Sequence, residues 1–452
     1  MSATLRRPPP GPTGLQPGNV AALRRDELGF YTRLKREYGD VVSFRMGPLR
    51  MCLVTDPAAV EQILVTRNHD VKKSPFYEAM SRVLGQGLLT SEGEFHKKQR
   101  RLVQPIFHHR RIKEYGETMV DYGVRYRDRW REGETLDFHE EMMALTLAIV
   151  GKTVFGADVE GDARHVGASL ATLLKTLDSL VLFVIFMIGG ALADQVEKLP
   201  IGVMRRFHAA RDELFGIIQR MIDERRGEGA TGSDLLSSLL AIEEDGVGMS
   251  DEQIRDEAMT IFLAGHETTA VALSWTFCLL SRHPEIAEKL HAELDEVLGD
   301  NVPTVEDLPR LDYTRKVLSE SMRLFPPAWM IGRQAVRDVE LGGFDVREGT
   351  ILLTPPFLVQ RDERWYPQPR RFDPERWVEE EEAKRPRYSY FPFGGGPRLC
   401  IGESFAWMEG ELLLATIAQR WRPQVAPGYP RGVQPQVTLR PKDGMRMTME
   451  RR

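Results

Sequence analysis

Residues 391–404 read FPFGGGPRLCIGES, and this stretch decides how the rest of the chain is interpreted. Its glycines remove side chains where a backbone must turn tightly or approach something large and flat. Cys400 comes just before a helical pattern over residues 403–421. Its sulfur is therefore expected beside a helix N-terminus, where backbone N–H groups and the helix dipole favour a thiolate. A thiolate in such a loop suits an axial iron ligand.

Other interpretations of this stretch have to be weighed. A lone cysteine is usually a small buried apolar residue, which is how we interpret Cys52 and Cys278. The glycine run does not predict a phosphate loop, because no Gly-Lys-Ser/Thr follows it and its spacing misses G-x-G-x-x-G. A cysteine nucleophile would need a basic histidine nearby, and the sequence does not locate one.

The longest helical pattern covers residues 251–282, where apolar side chains recur at helical spacing. Ser250 and Gln253 match a capping box, and Pro284 lies just past the other end. A helix of this length, at about 1.5 Å per residue, is a rod of about 48 Å. Polar residues at 265–269 interrupt its apolar pattern, and such interruptions tend to mark functional sites.

The remaining patterns indicate one large helical domain with a small β portion. Helical patterns dominate from about residue 60 to 311, a hairpin is predicted over residues 41–55, and a second strand-rich patch covers 331–360. Asp56 and Pro57 read as a helix N-cap and first helical residue. We therefore predict a mainly α fold, a single domain over residues 1–452, and an extended, proline-rich segment at residues 1–25.

Composition excludes several classes of protein. The net charge of −5 gives no general electrostatic basis for binding nucleic acid. Three cysteines cannot form a disulfide scaffold, so we expect a reducing compartment and a cytoplasmic protein. The longest apolar run, residues 180–192, is shorter than the roughly 20 residues of a membrane-spanning helix. We interpret it as a buried helix or the lining of an apolar cavity and predict no membrane span.

The full pattern around Cys400 is much more specific than any single feature. Phe393-x-x-Gly396-x-Arg398-x-Cys400-x-Gly402 is the haem-ligand signature of the cytochrome P450 family, which this chain resembles. The resemblance extends to four further segments, in the family's order: AGHETT at 264–269, Glu320-x-x-Arg323, PPAW at 326–329 and FDPERW at 372–377. It implies a P450-like fold whose long central helix crosses the face of a haem b, with O2 as co-substrate.

The resemblance also implies roles for individual residues. Glu267 and Thr268 would be catalytic, because activating O2 requires protons that a carboxylate and a hydroxyl can relay. An isolated helical threonine would instead bond a carbonyl four residues earlier. Glu320 and Arg323 would form a structural network with Arg376. Cys400 would be the axial iron ligand, and the other residues expected to contact the haem are Phe393, Gly394, Gly396, Arg398, Gly402, His96, Arg100, Arg333 and Ala264.

A largely apolar substrate cavity is expected on the side of the haem opposite the cysteine. The resemblance implies that its walls are the 180–192 run together with Phe76, Tyr77, Leu88, Leu89, Ala264, Ala328, Trp329, Met330 and Val437. A dry cavity disfavours unpaired polar groups, which favours a fatty acid, terpenoid or carotenoid-like substrate. The expected reaction is monooxygenation. The alternatives are a peroxide-dependent peroxygenase or isomerase and a non-catalytic haem sensor, both of which the intact Glu267–Thr268 pair disfavours.

A basic segment suggests a protein partner. Residues 95–113 contain seven Lys or Arg and no Asp or Glu, in contrast to the net negative charge. A solvated helix face is one interpretation. The other, by resemblance, is a docking face for an acidic electron donor. We expect no fused reductase, so electrons would come from a separate ferredoxin or flavodoxin and its NAD(P)H-dependent reductase.

Overall fold

The structure of the chain is a computed structural model that describes residues 7–12, 17–107, 109–156, 169, 172–173, 202–227, 234–241, 243–244 and 247–452. The apolar run at 180–192 lies outside the described residues. Within them the fold is mainly helical with small sheets, as predicted. None of the described helices combines the length and the apolar character needed to cross a membrane.

The helices occupy most of the described chain. Their bounds are α1 Pro17–Arg25, α2 Glu27–Tyr38, α3 Pro57–Glu61, α4 Pro75–Leu84, α5 Gly93–Val103, α6 His109–Arg129, α7 Phe138–Phe155, α8 Gly202–Gly227, α9 Leu235–Ala241, α10 Asp251–Arg282, α11 Pro284–Val297, α12 Asp312–Leu324, α13 Pro356–Val359, α14 Glu379–Glu382 and α15 Glu403–Ala418.

The strands form several small sheets. Their bounds are β1 Val41–Met46, β2 Leu49–Val54, β3 Val71–Lys73, β4 Thr135–Asp137, β5 Glu243–Glu244, β6 Val247–Gly248, β7 Ile331–Ala335, β8 Val339–Leu341, β9 Phe344–Val346, β10 Ile351–Thr354, β11 Trp421–Val425, β12 Val433–Pro435, β13 Leu439–Pro441 and β14 Arg446–Arg451. The largest sheet has the order β1-β2-β10-β7-β3, and only its β2–β10 pair is parallel. The hairpin predicted around residue 47 is its β1–β2 pair.

The central helix α10 begins and ends where the sequence predicts. The Ser250 side chain accepts from the Gln253 N–H, and the Gln253 side chain accepts from the Ser250 N–H, so the capping box is complete. Nearly every residue from 254 to 280 is buried. One side of the helix packs on α7, where the rings of Phe138 and Phe277 lie 5.0 Å apart. A helix buried on all sides crosses the interior of the molecule.

The N-terminal segment differs from its prediction. Residues 7–12 have no regular secondary structure, but Pro17–Arg25 forms helix α1 instead of continuing an extended segment. Proline is tolerated at a first helical position, because its missing N–H has no partner there in any case. Val20 and Leu23 then give the helix an apolar side that packs on the cluster around β1 and β2.

Candidate active site

The loop that bears Cys400 is held in a conformation that needs its glycines. The Cys400 N–H donates to the Phe393 carbonyl at 3.0 Å, which closes the loop. Gly396 has a φ of +65°, and a Cβ there would lie 1.9 Å from the Leu64 carbonyl oxygen. Because a side chain at this position would collide with backbone, the loop approaches residues 64–65 only with glycine. Gly394, with a φ of +75°, also needs the left-handed region.

Cys400 lies just before α15, as predicted, and it lines a large cavity. Burial raises the pKa of its thiol to about 11, while the backbone hydrogen bond from Gly402 and the charge of Arg100 act in the opposite direction. The Cys400 side chain is exposed to the cavity, and its thiolate state stays a prediction. A metal ion deprotonates a coordinating thiol outright and would supply the missing positive charge.

The cavity has a volume of about 970 Å³, at the upper end of the roughly 300–1,000 Å³ usual for small-molecule sites. Eight of the nine predicted wall residues line it: Phe76, Tyr77, Leu89, Ala264, Ala328, Trp329, Met330 and Val437. Leu88 does not. It is buried, and its N–H donates to the Glu257 carboxylate at 3.0 Å. Residues 23–28, at the junction of α1 and α2, also line the cavity, and no motif in the sequence indicated them.

Arginines predicted to hold the haem propionates gather beside the loop. Arg333 and Arg398 both line the main cavity, and Arg398 also lines a second cavity with His96 and Arg100. One end of the Arg398 guanidinium pairs with Glu92, a partner that the sequence did not indicate. Its Nε is buried without a hydrogen-bond partner. An unpaired, buried guanidinium N–H is a donor available to an anionic group.

His96 and Arg100 have different surroundings from one another. His96 is buried, and burial together with the nearby cations Lys73 and Arg398 lowers its pKa to about 4. It is therefore a neutral imidazole at ordinary pH and can offer an N–H but no charge. Arg100 donates to the Leu399 carbonyl at 2.8 Å, which places it next to Cys400. Of these two residues, only Arg100 brings a positive charge to the loop.

On α10, the predicted oxygen-activation segment lines the cavity opposite the loop. The Thr268 hydroxyl donates to the Ala264 carbonyl at 2.9 Å, which is the bond expected of an isolated helical threonine. Its oxygen retains the capacity to accept a hydrogen bond. Gly265 also lines the cavity, and a Cβ there would lie 3.0 Å from Val150 of α7. The glycine thus permits close packing of the two helices.

The Glu267 carboxylate has two partners that the sequence did not reveal. Arg440 Nε lies 2.6 Å from its Oε1, and the Thr438 hydroxyl donates to the same oxygen. Both partners belong to the C-terminal hairpin of β12 and β13, more than 170 positions along the chain. Glu267 is only 2% exposed. Thr438 and Arg440 occur in the QVTLRP stretch, but nothing in that stretch indicates which residue they meet.

Glu320, Arg323 and Arg376 come together as predicted. Arg323 makes two hydrogen bonds to the Glu320 carboxylate, at 2.7 and 2.8 Å, and Arg376 Nε makes a third at 2.9 Å. Arg323 also donates to the carbonyls of Gln360, Pro369 and Arg371. The network lies outside the cavity lining. It ties α12 to the loop segment 360–377.

Comparison with known proteins shows which family has this arrangement. The family model described as "Cytochrome P450" matches residues 8–447. The chain belongs to the cytochrome P450 family. It is 39% identical to the cyclooctatin synthase of Streptomyces melanosporofaciens over 93% of this chain and 91% of that protein. It is 38% identical to the cyclooctat-9-en-7-ol 5-monooxygenase of the same organism, with the same coverage, and 34% identical to the pentalenene oxygenase of Streptomyces avermitilis over 91% and 90%.

A solved P450 structure has the same fold. The retinoic-acid-bound cyanobacterial CYP120A1 superposes on this P450 with a TM-score of 0.87, covering 99% of this chain and 100% of that chain at 24% identity. At that identity the likeness concerns the fold alone. The predicted fold class is therefore confirmed. The family and its monooxygenase members identify the chain as a P450 monooxygenase, with haem b as cofactor and O2 as co-substrate.

The residues of this P450 fit a haem. Cys400 would hold the iron from a glycine loop that admits no side chains, and Arg333 and Arg398 would hold the propionates. The orphaned Nε of Arg398 supports that assignment. When bound, haem b supplies the redox chemistry that activates O2 for insertion of one oxygen atom into the substrate. The protein contributes the largely apolar walls of the cavity, and Glu267 and Thr268 bring a carboxylate and a hydroxyl to its lining.

Proposed function

We propose that this P450 hydroxylates a terpenoid-like substrate that is apolar over most of its surface. The observation that carries the proposal is the run of apolar side chains, including Leu89, Ala328 and Val437, that shares one cavity with Thr268. A substrate placed against these residues loses its contact with water, so unpaired polar groups would cost binding energy. Met330 adds an unbranched, adaptable side chain to the wall.

The relatives support this substrate class over the fatty acids that the sequence also allowed. Two of them are named for oxidising cyclooctat-9-en-7-ol and pentalenene, both terpenoid-type compounds. One is an alcohol and one a hydrocarbon. A cavity that accepts such molecules needs apolar contact over a compact surface and few polar groups, and the walls of this cavity are of that kind.

We also propose that the electrons come from a separate ferredoxin or flavodoxin served by an NAD(P)H-dependent reductase. Helix α5 presents Lys97, Lys98 and Arg101 at the surface, on the side of the Cys400 loop where Arg100 contacts Leu399. A basic surface attracts an acidic partner and speeds encounter at low salt. A single catalytic domain and a cytoplasmic location stay predictions from the sequence.

The haem assignment is tested by the absorption spectrum of the reduced, carbon-monoxide-bound protein. We expect the red-shifted Soret band of a haem with a cysteine thiolate ligand. Cys400→Ser should abolish that band, because the hydroxyl of serine is not deprotonated as a thiol is. Cys52→Ala is the matched control and should keep it, since Cys52 is buried in the β1–β2 sheet. A red-shifted band that persists in Cys400→Ser would overturn the ligand assignment.

The substrate class is tested by turnover under isotopically labelled O2, with NAD(P)H and a surrogate ferredoxin system. The panel consists of pentalenene, a long-chain fatty acid and a carotenoid. We expect one labelled oxygen atom in a product from the cyclic hydrocarbon, with little product from the other two. Efficient labelling of the fatty acid alone would refute the terpenoid proposal, whereas labelling of the carotenoid, itself a large terpenoid, would support the class. Product formed from peroxide without O2 would point to the peroxygenase alternative.

A further inference from the structure

The carboxylate of Glu267 is held by residues far from its own helix. Arg440 Nε and the Thr438 hydroxyl both meet Oε1, and neither contacts the other oxygen. Within the described part of the chain, Arg440 makes the only ion pair of Glu267. The second terminal nitrogen of Arg440, Nη2, is buried without a hydrogen-bond partner. The guanidinium therefore donates to Glu267 through Nε, while its Nη2 has no hydrogen-bond partner.

The other titratable groups near Glu267 cannot replace Arg440 as a counter-charge. His266 is its neighbour on α10, and His139 faces it from α7. Burial is the largest influence on both rings and lowers the pKa of each, that of His139 to about 4. Both are neutral at ordinary pH. A buried carboxylate that loses its cation takes up a proton instead of staying charged.

The hairpin that supplies Arg440 is anchored to the cavity wall. The Trp329 indole N–H donates to the Gln436 carbonyl at 2.7 Å, and the Trp275 indole N–H donates to the Leu439 carbonyl at 2.8 Å. Val437 and Thr438 lie between these anchors and line the cavity. One short segment therefore touches the space that a substrate would fill and also fixes the cation that meets Glu267.

We propose that Arg440 is a positioning residue that keeps Glu267 ionised and directed along the cavity wall, so that proton supply to the site depends on the C-terminal hairpin. The inference rests on the proposed function, because it gives Glu267 the task of carrying protons to the oxygen-activation site. Thr438 assists by donating to the same oxygen.

The test compares Arg440→Leu and Arg440→Lys in the haem-loaded protein. In Arg440→Leu, the infrared band of a protonated carboxyl should persist to higher pH than in the wild type, and the product formed per NAD(P)H should fall several-fold. Arg440→Lys should restore most of the wild-type carboxyl titration and most of the product formed per NAD(P)H, since lysine again supplies a cation. Arg440→Leu combined with Glu267→Gln should lack the extra band and show no further loss beyond Glu267→Gln alone. Arg446→Leu, an exposed site on β14, is the control and should match the wild type.

The outcomes separate this inference from the proposed function. If the wild type forms product but Arg440→Leu keeps its infrared titration and its coupling, Arg440 does not position Glu267. If the wild type forms no O2-dependent product, the proposed function fails, yet the infrared titration still tests the Arg440–Glu267 interaction. A loss of haem in Arg440→Leu that Arg440→Lys does not repair, with an unshifted carboxyl band, would assign Arg440 to folding and overturn the inference.

Discussion

Two buried glutamates in this P450 are each ion-paired with arginine, but their hydrogen bonds are distributed differently over the two carboxylate oxygens. Glu320 accepts five hydrogen bonds spread over both oxygens, from Arg323, Arg376, the Trp377 indole and the Asp373 N–H. Glu267 receives Arg440 and Thr438 on one oxygen only. Glu320 lies away from the cavity, whereas Glu267 lines it.

The difference separates a carboxylate that holds the fold together from one that can change its state. Both oxygens of Glu320 are occupied by donors, two from Arg323 on its own helix and three from residues 373–377, so the carboxylate joins α12 to that segment. Glu267 lines the cavity, and both of the donors that it has among the described residues meet the same oxygen. The count of donors on each oxygen therefore predicts which pair is structural.

The largest expected effect is the loss of Glu320. Glu320→Gln should lower the free energy of unfolding by about 3–5 kcal/mol, because it leaves Arg323 buried without its counter-charge. We expect poor haem incorporation as a consequence. Glu267→Gln should keep the haem and most of the stability while losing coupled turnover. For both variants, urea denaturation measures the stability and the haem content per chain measures haem incorporation. Equal loss of stability in the two variants would remove the distinction between the pairs.

A third buried carboxyl, Glu409 on α15, extends the comparison because it has no arginine. Neither oxygen makes a hydrogen bond of good geometry, although the Thr269 hydroxyl faces it. Burial raises the pKa of Glu409 from 4.5 to about 8. The folded protein therefore holds a proton that the unfolded chain releases above about pH 4.5. Its contribution to stability is present below that pH and is lost as the pH rises toward 8.

Glu409→Gln should remove that part of the pH dependence. A neutral amide has no proton to lose, so the variant should be more stable than the wild type at pH 8 by an amount on the order of a few kcal/mol, and close to it at pH 5. Chemical denaturation at several pH values measures the difference. Matched curves at pH 5 and pH 8 would show that Glu409 is not neutral in the folded protein.

The contrast between the pairs also explains what could be predicted from sequence. Helix α10 was predictable to the residue, since its capping box and apolar spacing are local. Cys400 and the Glu320–Arg323 pair were found because their motifs are short and contiguous. The Arg440–Glu267 contact was not, because a hairpin and a helix that are 173 positions apart meet only through tertiary packing.

Other predictions from the sequence failed for the same physical reason. Helix α1 is stabilised by packing of Val20 and Leu23 on a sheet whose place in the molecule the sequence does not give. Leu88 was assigned to the cavity by the family resemblance, yet its side chain is buried and its N–H is fixed by Glu257. Burial, which depends on the whole fold, decided each of these.

The smallest expected effect comes from removing one neutral donor from each pair. Trp377→Phe takes away the indole N–H that meets Glu320 Oε2 at 3.0 Å. It should cost about 1.5–3 kcal/mol, the usual worth of a hydrogen bond to a charged group, because no water can replace the donor in a site that is 0% exposed. Thr438→Val removes the hydroxyl from Glu267, but water in the cavity can replace that donor, so the cost should be below about 1 kcal/mol.

In catalysis the order of the two effects should be reversed, with Thr438→Val having the larger effect. Thr438→Val should change the product formed per NAD(P)H, since it loosens the carboxylate beside Thr268, whereas Trp377→Phe should leave that ratio unchanged in the folded fraction. Denaturation midpoints and coupling measured on the same preparations give both quantities. If Thr438→Val lowered stability as much as Trp377→Phe without altering coupling, the Glu267 pair would be structural, and the number of donors on a buried carboxylate would no longer indicate its role.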